Sequence, residues 1–309
     1  MKARILLLTL LICAITSVSK ADEQKAFLDS VLIMEVGGQQ SKNEYLYNED
    51  GYVSTEVYYN LNGGAWQAKS IREYSYNEFG KVEISVMSLM DNNTNLWKKE
   101  RKSEYSYNDK GDQILRTDYK WNSDEEIWEI YQLLKTTYRY ATYSDHITYT
   151  IDSLCNSEGE PSRSAIRYDY TYDNNTDRVT HRFSFIWDEG AGDWAQTGKR
   201  DYTYDAEGNL ILILSYNWIA TSKKFVNASK YEMEYDTNRY LLTEKASIWT
   251  DDNSWFLTNT STYYYHNYNT ALTQLEISPQ PKSTKLLRDG QMFIIRDGKT
   301  YSVTGNEVK

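Results

Sequence analysis

Apolar and polar residues alternate with a period of two through most of this chain, the signature of half-buried β-strands rather than helices. Leu210, Leu212, Leu214, Tyr216 and Trp218 share one face of such a run, as do Val179, His181, Phe183, Phe185 and Trp187. In the run leading into a turn, Trp97, Lys99, Arg101, Ser103, Tyr105 and Tyr107 fall together, with Lys98, Glu100, Lys102, Glu104 and Ser106 opposite. The pattern predicts strands of about 9 to 11 residues with one aromatic and aliphatic face and one charged face.

A phrase recurs where each such run ends: Tyr45-Leu-Tyr47, Tyr74-Ser-Tyr76, Tyr105-Ser-Tyr107, Tyr170-Thr-Tyr172, Tyr202-Thr-Tyr204 and Tyr263-Tyr-Tyr265, with degenerate copies at Tyr138-Arg-Tyr140 and Glu234-Tyr235. Taking the second aromatic as anchor gives positions 47, 76, 107, 140, 172, 204, 235 and 265, a period of about 31. Turns such as Asn48-Glu-Asp-Gly51, Asn77-Glu-Phe-Gly80, Asn108-Asp-Lys-Gly111 and Asp205-Ala-Glu-Gly208 follow most anchors. An Asx side chain there bonds forward to the backbone, and glycine accepts the positive φ that reverses the chain. The predicted fold is all-β: about seven tandem antiparallel β-hairpin repeats of ~31 residues in one long meander sheet, twisted or curled, plus a small C-terminal β-hairpin module. A flat sheet wet on both sides is the alternative, and charges recurring on the nominal exterior argue against a membrane barrel.

Tryptophans mark the far end of each hairpin. Trp121 and Trp128, Trp187 and Trp194, and Trp218 and Phe225 are each seven apart, and Trp249 and Trp255 are six apart. Each pair flanks a polar loop, which facing rings across two strands would clamp. Trp66, Trp97, Trp194, Phe225 and Trp255 all fall ten residues before the next anchor.

Composition sharpens this picture. The 29 Tyr and nine Trp suit a pleated surface. Residues 1–21 read as a secretory signal, with Lys2 and Arg4 before an apolar run and Ser19-Lys-Ala21 as cleavage site. Ile12 before Cys13 argues against a lipoprotein signal. The apolar run is too short to span a bilayer, so no transmembrane segment is expected after cleavage. Removing Lys2, Arg4 and Lys20 takes the net charge from −10 to −13, which argues against nucleic acid as a partner. Only Cys155 then remains, so no intramolecular disulfide is expected. The remaining segments read as an N-terminal cap (22–44), the repeat domain (45–276), a linker (277–284) containing Pro279 and Pro281, and a C-terminal β tail (285–309) with two Asp-Gly turns.

The tail from Asp289-Gly290 through Asp297-Gly298 to Tyr301 and Gly305 resembles, in shortened form, the type IX secretion sorting domain of Bacteroidetes-type secreted and surface proteins. That resemblance implies passage to the outer-membrane surface or the exterior, with the periplasm as fallback. The phrase Tyr202-x-Tyr204-Asp205-x-x-Gly208-x-Leu210 is similar to the YD (Rhs-type) repeat of bacterial surface and toxin-shell proteins, which implies an aromatic-lined β-strand spiral. Asp29-Ser30-Val31 and Asp152-Ser153-Leu154 look like O-glycosylation motifs of such bacteria, marking Ser30 and Ser153.

No catalytic constellation stands out. His146, His181 and His266 lie in different repeats without metal-ligand spacing, and Cys155 has no partnered histidine in sequence. The acidic turns at 173–177 and 251–253 supply oxygens of the kind calcium takes, but lack an EF-hand register, so no cofactor is expected. The expectation is a non-enzymatic scaffold that binds a glycan or protein at the cell surface through Trp121, Trp128, Trp187, Trp194, Trp218, Trp249 and Trp255. A cell-surface glycan hydrolase with an unidentified carboxylate pair and a structural envelope component are the alternatives.

Overall fold

The computed structural model describes residues 26–142, 144–156, 161–267, 283–288, 291–296, 299–302 and 307–308. The expected signal peptide (1–21) and most of the expected linker (277–284) lie outside the described residues. Sixteen strands form an antiparallel meander. They are β1 (Ala26–Glu35), β2 (Gln40–Tyr47), β3 (Val53–Asn62), β4 (Ala65–Tyr76), β5 (Val82–Asp91), β6 (Leu96–Tyr107), β7 (Gln113–Asn122) and β8 (Ile127–Tyr140), then β9 (Ile147–Cys155), β10 (Pro161–Tyr172), β11 (Val179–Asp188), β12 (Asp193–Tyr204), β13 (Leu210–Ile219), β14 (Lys224–Tyr235), β15 (Leu241–Trp249) and β16 (Trp255–Asn267). A separate four-stranded sheet follows: β17 (Ser283–Arg288), β18 (Gln291–Arg296), β19 (Lys299–Ser302) and β20 (Glu307–Val308).

The long sheet is not an open, curled meander. It is a closed barrel, with β1 paired to β16 from Ala26↔Asn267 to Glu35↔Asn259 as well as to β2. Closure removes both sheet edges, which would otherwise present rows of unpaired backbone groups. Strand β1 supplies the sixteenth strand, so the first and last strands run antiparallel and can bond directly. At ~4.8 Å per strand the wall is about 77 Å around, too wide for side chains to fill the middle. The packing agrees: Ile71 is the largest fully buried side chain among the described residues, and its cluster holds only Val57, with Tyr59, Ala68 and Trp97 against it.

Two sets of bulges curve the wall. In six hairpins one residue is left without a cross-strand partner three positions after the second aromatic: Lys69, Glu100, Tyr131, Thr197, Ala228 and Thr258. A second set follows the turns, as where Tyr76 pairs with Val82 but Ser75 with Ile84. Each bulge adds local twist and bends its strand. The first set also overturns the expected faces. Trp97 stands opposite Met90, which alternates onto the face of Val86, and Val86 stands opposite Lys102, so Trp97 and Lys102 share a face while Arg101, Ser103 and Tyr105 occupy the other. The wall therefore has a tryptophan face and a tyrosine face. Both carry charges at mid-height, Lys102 and Glu104 on the first, Glu56 and Arg72 on the second, so neither is the uncharged band of a lipid-spanning barrel.

Turns line one rim. Asn48 illustrates them: its carbonyl accepts from Gly51 N (3.0 Å) and its side chain from Tyr52 N (2.8 Å), with Gly51 at φ 79°. Next to this rim the anchor tyrosines form a ladder. The hydroxyl of Tyr76 donates to Val53 O (2.7 Å), Tyr107 to Val82 O (2.7 Å), Tyr172 to Ile147 O (3.0 Å), Tyr204 to Val179 O (3.0 Å) and Tyr235 to Leu210 O (2.9 Å), each acceptor being the first residue of the preceding strand. Tyr47 donates to Leu28 O (2.7 Å), two residues into β1. In the fourth repeat the rung is Tyr138, donating to Gln113 O (2.9 Å), not the expected Tyr140. Strand β8 is 14 residues long against 12 for β6, and Tyr140, one step beyond the ladder, bonds Asp112 and Asn108 instead. With Tyr138 as anchor, Trp128 joins the aromatics that lie ten residues before theirs.

Candidate binding surface at the tryptophan rim

The expected tryptophan pairs face each other across the hairpin ends, on one face and at one rim. Trp121↔Trp128, Trp187↔Trp194, Trp218↔Phe225 and Trp249↔Trp255 are cross-strand partners. Their ring centroids lie 4.9, 5.4, 4.8 and 4.9 Å apart, and the three Trp–Trp pairs meet edge to face. That geometry suits the ring quadrupoles and fixes each loop. The tight loops need left-handed residues two before the second aromatic, and Asn95, Glu126, Lys223 and Asn253 adopt φ between 52° and 59° there. All seven tryptophans keep solvent contact, and Trp187 is the most open at 41%.

Below the pairs lies a repeated cluster that the alternation alone did not disclose. Lys102 Nζ sits 4.0 Å from the Tyr119 ring centre and 5.9 Å from that of Trp128, and it bonds Glu104 at 2.6 Å. Tyr119 donates to the other Glu104 oxygen at 2.6 Å. The same group recurs as Lys42, Glu44, Tyr59 and Trp66, and as Lys199, Asp201, Tyr216 and Phe225. Its signal was present in the sequence as a cation five residues, and a carboxylate three residues, before the anchor. Burial pushes the Glu104 carboxyl up, but the bonds from Lys102 and Tyr119 outweigh it and hold it below its ordinary value. Burial, then the Glu104 bond, raises Tyr119 to about 12. Where Ile71 replaces the lysine, burial alone lifts Glu73. These cations cover ring faces: Lys99 lies 4.4 Å over Trp121 and Lys230 5.5 Å over Trp255. Among the described residues no cation lies over Trp187 or Trp194.

The other predicted positions are not brought together. Ser30 lies in β1, its hydroxyl 3.3 Å from Asp29, and Ser153 lies half-buried in β9. His146 stacks on Tyr172 and faces Asp177 at 3.3 Å, His181 bonds Asp201 at 2.6 Å, and His266 approaches Asp29 at 3.7 Å. Asp173 Oδ1 accepts from the backbone of Asn175 and from the backbone and hydroxyl of Thr176, which lowers its pKa. Among the described residues no group of three His, Cys, Asp or Glu is placed to hold a metal. The carboxylates raised by burial, Glu73, Asp152 and Glu244, stand on the non-adjacent strands β4, β9 and β15. Among the described residues no helix is long and apolar enough to cross a membrane.

No family model matches the chain, and no curated protein matches it. Among solved structures it is similar to a porin-like protein from Bacteroides uniformis, at 11% identity over 77% of this chain and 96% of that one, with a TM-score of 0.45. It is also similar to DUF3836 family proteins from Bacteroides vulgatus (21% identity, 29% of this chain and 90% of that one, TM-score 0.26) and Parabacteroides distasonis (13%, 35% and 94%, TM-score 0.27). Each of these three TM-scores lies below 0.5.

Proposed function

We propose that this protein is a non-enzymatic, exported surface barrel that binds a glycan through its tryptophan rim, centred on Trp187 and Trp194. The observation that carries this reading is the equivalent placement of four half-exposed aromatic pairs at one rim, of which the most open has no cation over it among the described residues. Indole faces offer large, rigid apolar area at little entropic cost, and Asp188 and Asp193, paired beside them, supply hydrogen-bond acceptors. A neutral-oligosaccharide array probed with the mature protein tests it. Trp187→Ala is expected to lose binding at least tenfold, whereas Trp121→Ala, whose ring Lys99 already covers, changes it less. Binding confined to proteins, or turnover of the bound glycan, would refute the reading. Surface display rests on the leader and on the tail resemblance; deleting residues 285–309 is expected to hold the protein in the periplasm, seen by surface proteolysis.

A further inference from the structure

Two grooves lie along the turn rim, each between two successive turns. The smaller, about 380 Å³, is lined by Lys110, Asp112, Tyr140, Asp145 and Ile147, between the β6–β7 and β8–β9 turns. Its cation is the protein's own: Lys110 Nζ lies 5.0 Å from the Tyr140 ring centre and pairs with the Asp145 carboxylate of the next turn. Related contacts recur further round the rim. His146 stacks on Tyr172 beside Asp177, and Arg178 lies 5.5 Å over Tyr204 and against Gly208 of the following turn. In each case a nitrogen-bearing side chain from one turn covers the tyrosine next to the turn that follows.

The larger groove, about 660 Å³, lies between the β2–β3 and β4–β5 turns. Asn48-Glu-Asp50-Gly51 and Asn108-Asp-Lys110-Gly111 are equivalent turns, each closed by a bond from the glycine N to the Asn carbonyl (3.0 and 2.9 Å), so Asp50 stands where Lys110 does. After the glycine comes Tyr52 in place of Asp112, and its ring stacks on Tyr76 at 4.8 Å. Tyr52 keeps 40% of its surface exposed. Asp50 and Glu78, one from each turn, line the same groove and are exposed. Among the described residues no basic side chain lines it, and neither carboxylate has an ion-pair partner. One reversal of charge thus separates a self-filled gap from an open one with a tyrosine platform and two unpaired carboxylates, within the size range of small-ligand sites.

We infer that the larger groove binds an alkylammonium group, carried by a free diamine or by a lysine side chain of a partner protein. The ammonium takes the place that Lys110 Nζ holds in the smaller groove, against a tyrosine ring and a carboxylate of the next turn, and its carbon stem lies along Tyr52. The acidic chain draws cations toward such a site. The groove is at the opposite rim from the tryptophan pairs and stands independently of the glycan reading.

The test is calorimetric titration of the mature protein, at low ionic strength, with cadaverine, with a capped dilysine peptide of the same charge, and with that peptide acetylated on both side chains. One equivalent of cadaverine or dilysine is expected to bind, more weakly as sodium chloride is added, while the acetylated peptide does not bind. Asp50→Lys, which rebuilds the Lys110 arrangement, abolishes binding, and Tyr52→Leu weakens it about fivefold. Lys110→Asp opens the smaller groove and raises the stoichiometry from one to two. Dilysine bound at least tenfold tighter than cadaverine assigns the site to a protein partner, and equal or weaker binding assigns it to free amines. The inference fails if neither amine gives a saturable heat, if the acetylated peptide binds as well as the free one, or if Asp50→Lys binds like the parent.

Discussion

The single residue with the clearest pH consequence is Glu244. It lies on β15 opposite Met233, and burial raises its pKa above the ordinary carboxylate value with no cation to offset it. A carboxyl whose pKa is raised by folding binds more protons in the folded state, so stability falls as pH climbs from the ordinary value through the raised one. Glu244→Gln is therefore expected to stabilise the barrel at pH 7, and the gain should vanish near pH 3, where both states are protonated. Paired urea titrations at the two pH values measure this. The opposite sign belongs to Asp173, whose turn hydrogen bonds lower its pKa, so its contribution is present at neutral pH and lost on acidification. Nothing in the sequence separates these acids, because desolvation depends on neighbours three-dimensional pairing supplies.

At the scale of elements, strands and turns were legible and the faces were not. Period-two alternation located the hairpins, and Asx and glycine located the turns; even the degenerate copy at 234–236 turns through Asp236, with Arg239 at φ 68° in the glycine position. The bulge residues, however, range from Lys69 to Ala228 and share no chemistry, so alternation carried across them assigned Trp97 and Tyr105 to one face. The turns also interlock. A Cβ on Gly80 would lie 2.3 Å from Tyr52 Oη, and the Tyr52 ring is stacked on Tyr76 at 4.8 Å, so it cannot readily move. At Gly192 nothing lies within 4 Å. Both glycines have positive φ, 70° and 64°. Gly192→Ala is expected to cost about 1 kcal/mol from backbone strain, and Gly80→Ala clearly more, because strain and collision add. Equilibrium denaturation of the two variants distinguishes them.

For the whole molecule, closure was the property the sequence concealed. Residues 26–35 lack the tyrosine phrase, so their strand could not be counted among the repeats, although it decides between an open and a closed sheet. Deleting 26–35 is expected to leave β2 and β16 as free edges. An odd number of meander strands sets them parallel, so direct closure would replace the antiparallel seam by a parallel one, which is less stable per residue. The truncated chain should then self-associate through those edges, read as a concentration-dependent mass in light scattering, while the full chain keeps its mass. The requirement that β1 and β16 run antiparallel also constrains how such a wall can change over generations. Gain or loss of one strand would force a parallel closing pair, whereas gain or loss of a complete hairpin keeps the seam antiparallel. Girth is thus a heritable quantity that moves in steps of one repeat, so that duplication within the gene widens the barrel and deletion narrows it, with the Asx turns and the indole loops kept at their own ends.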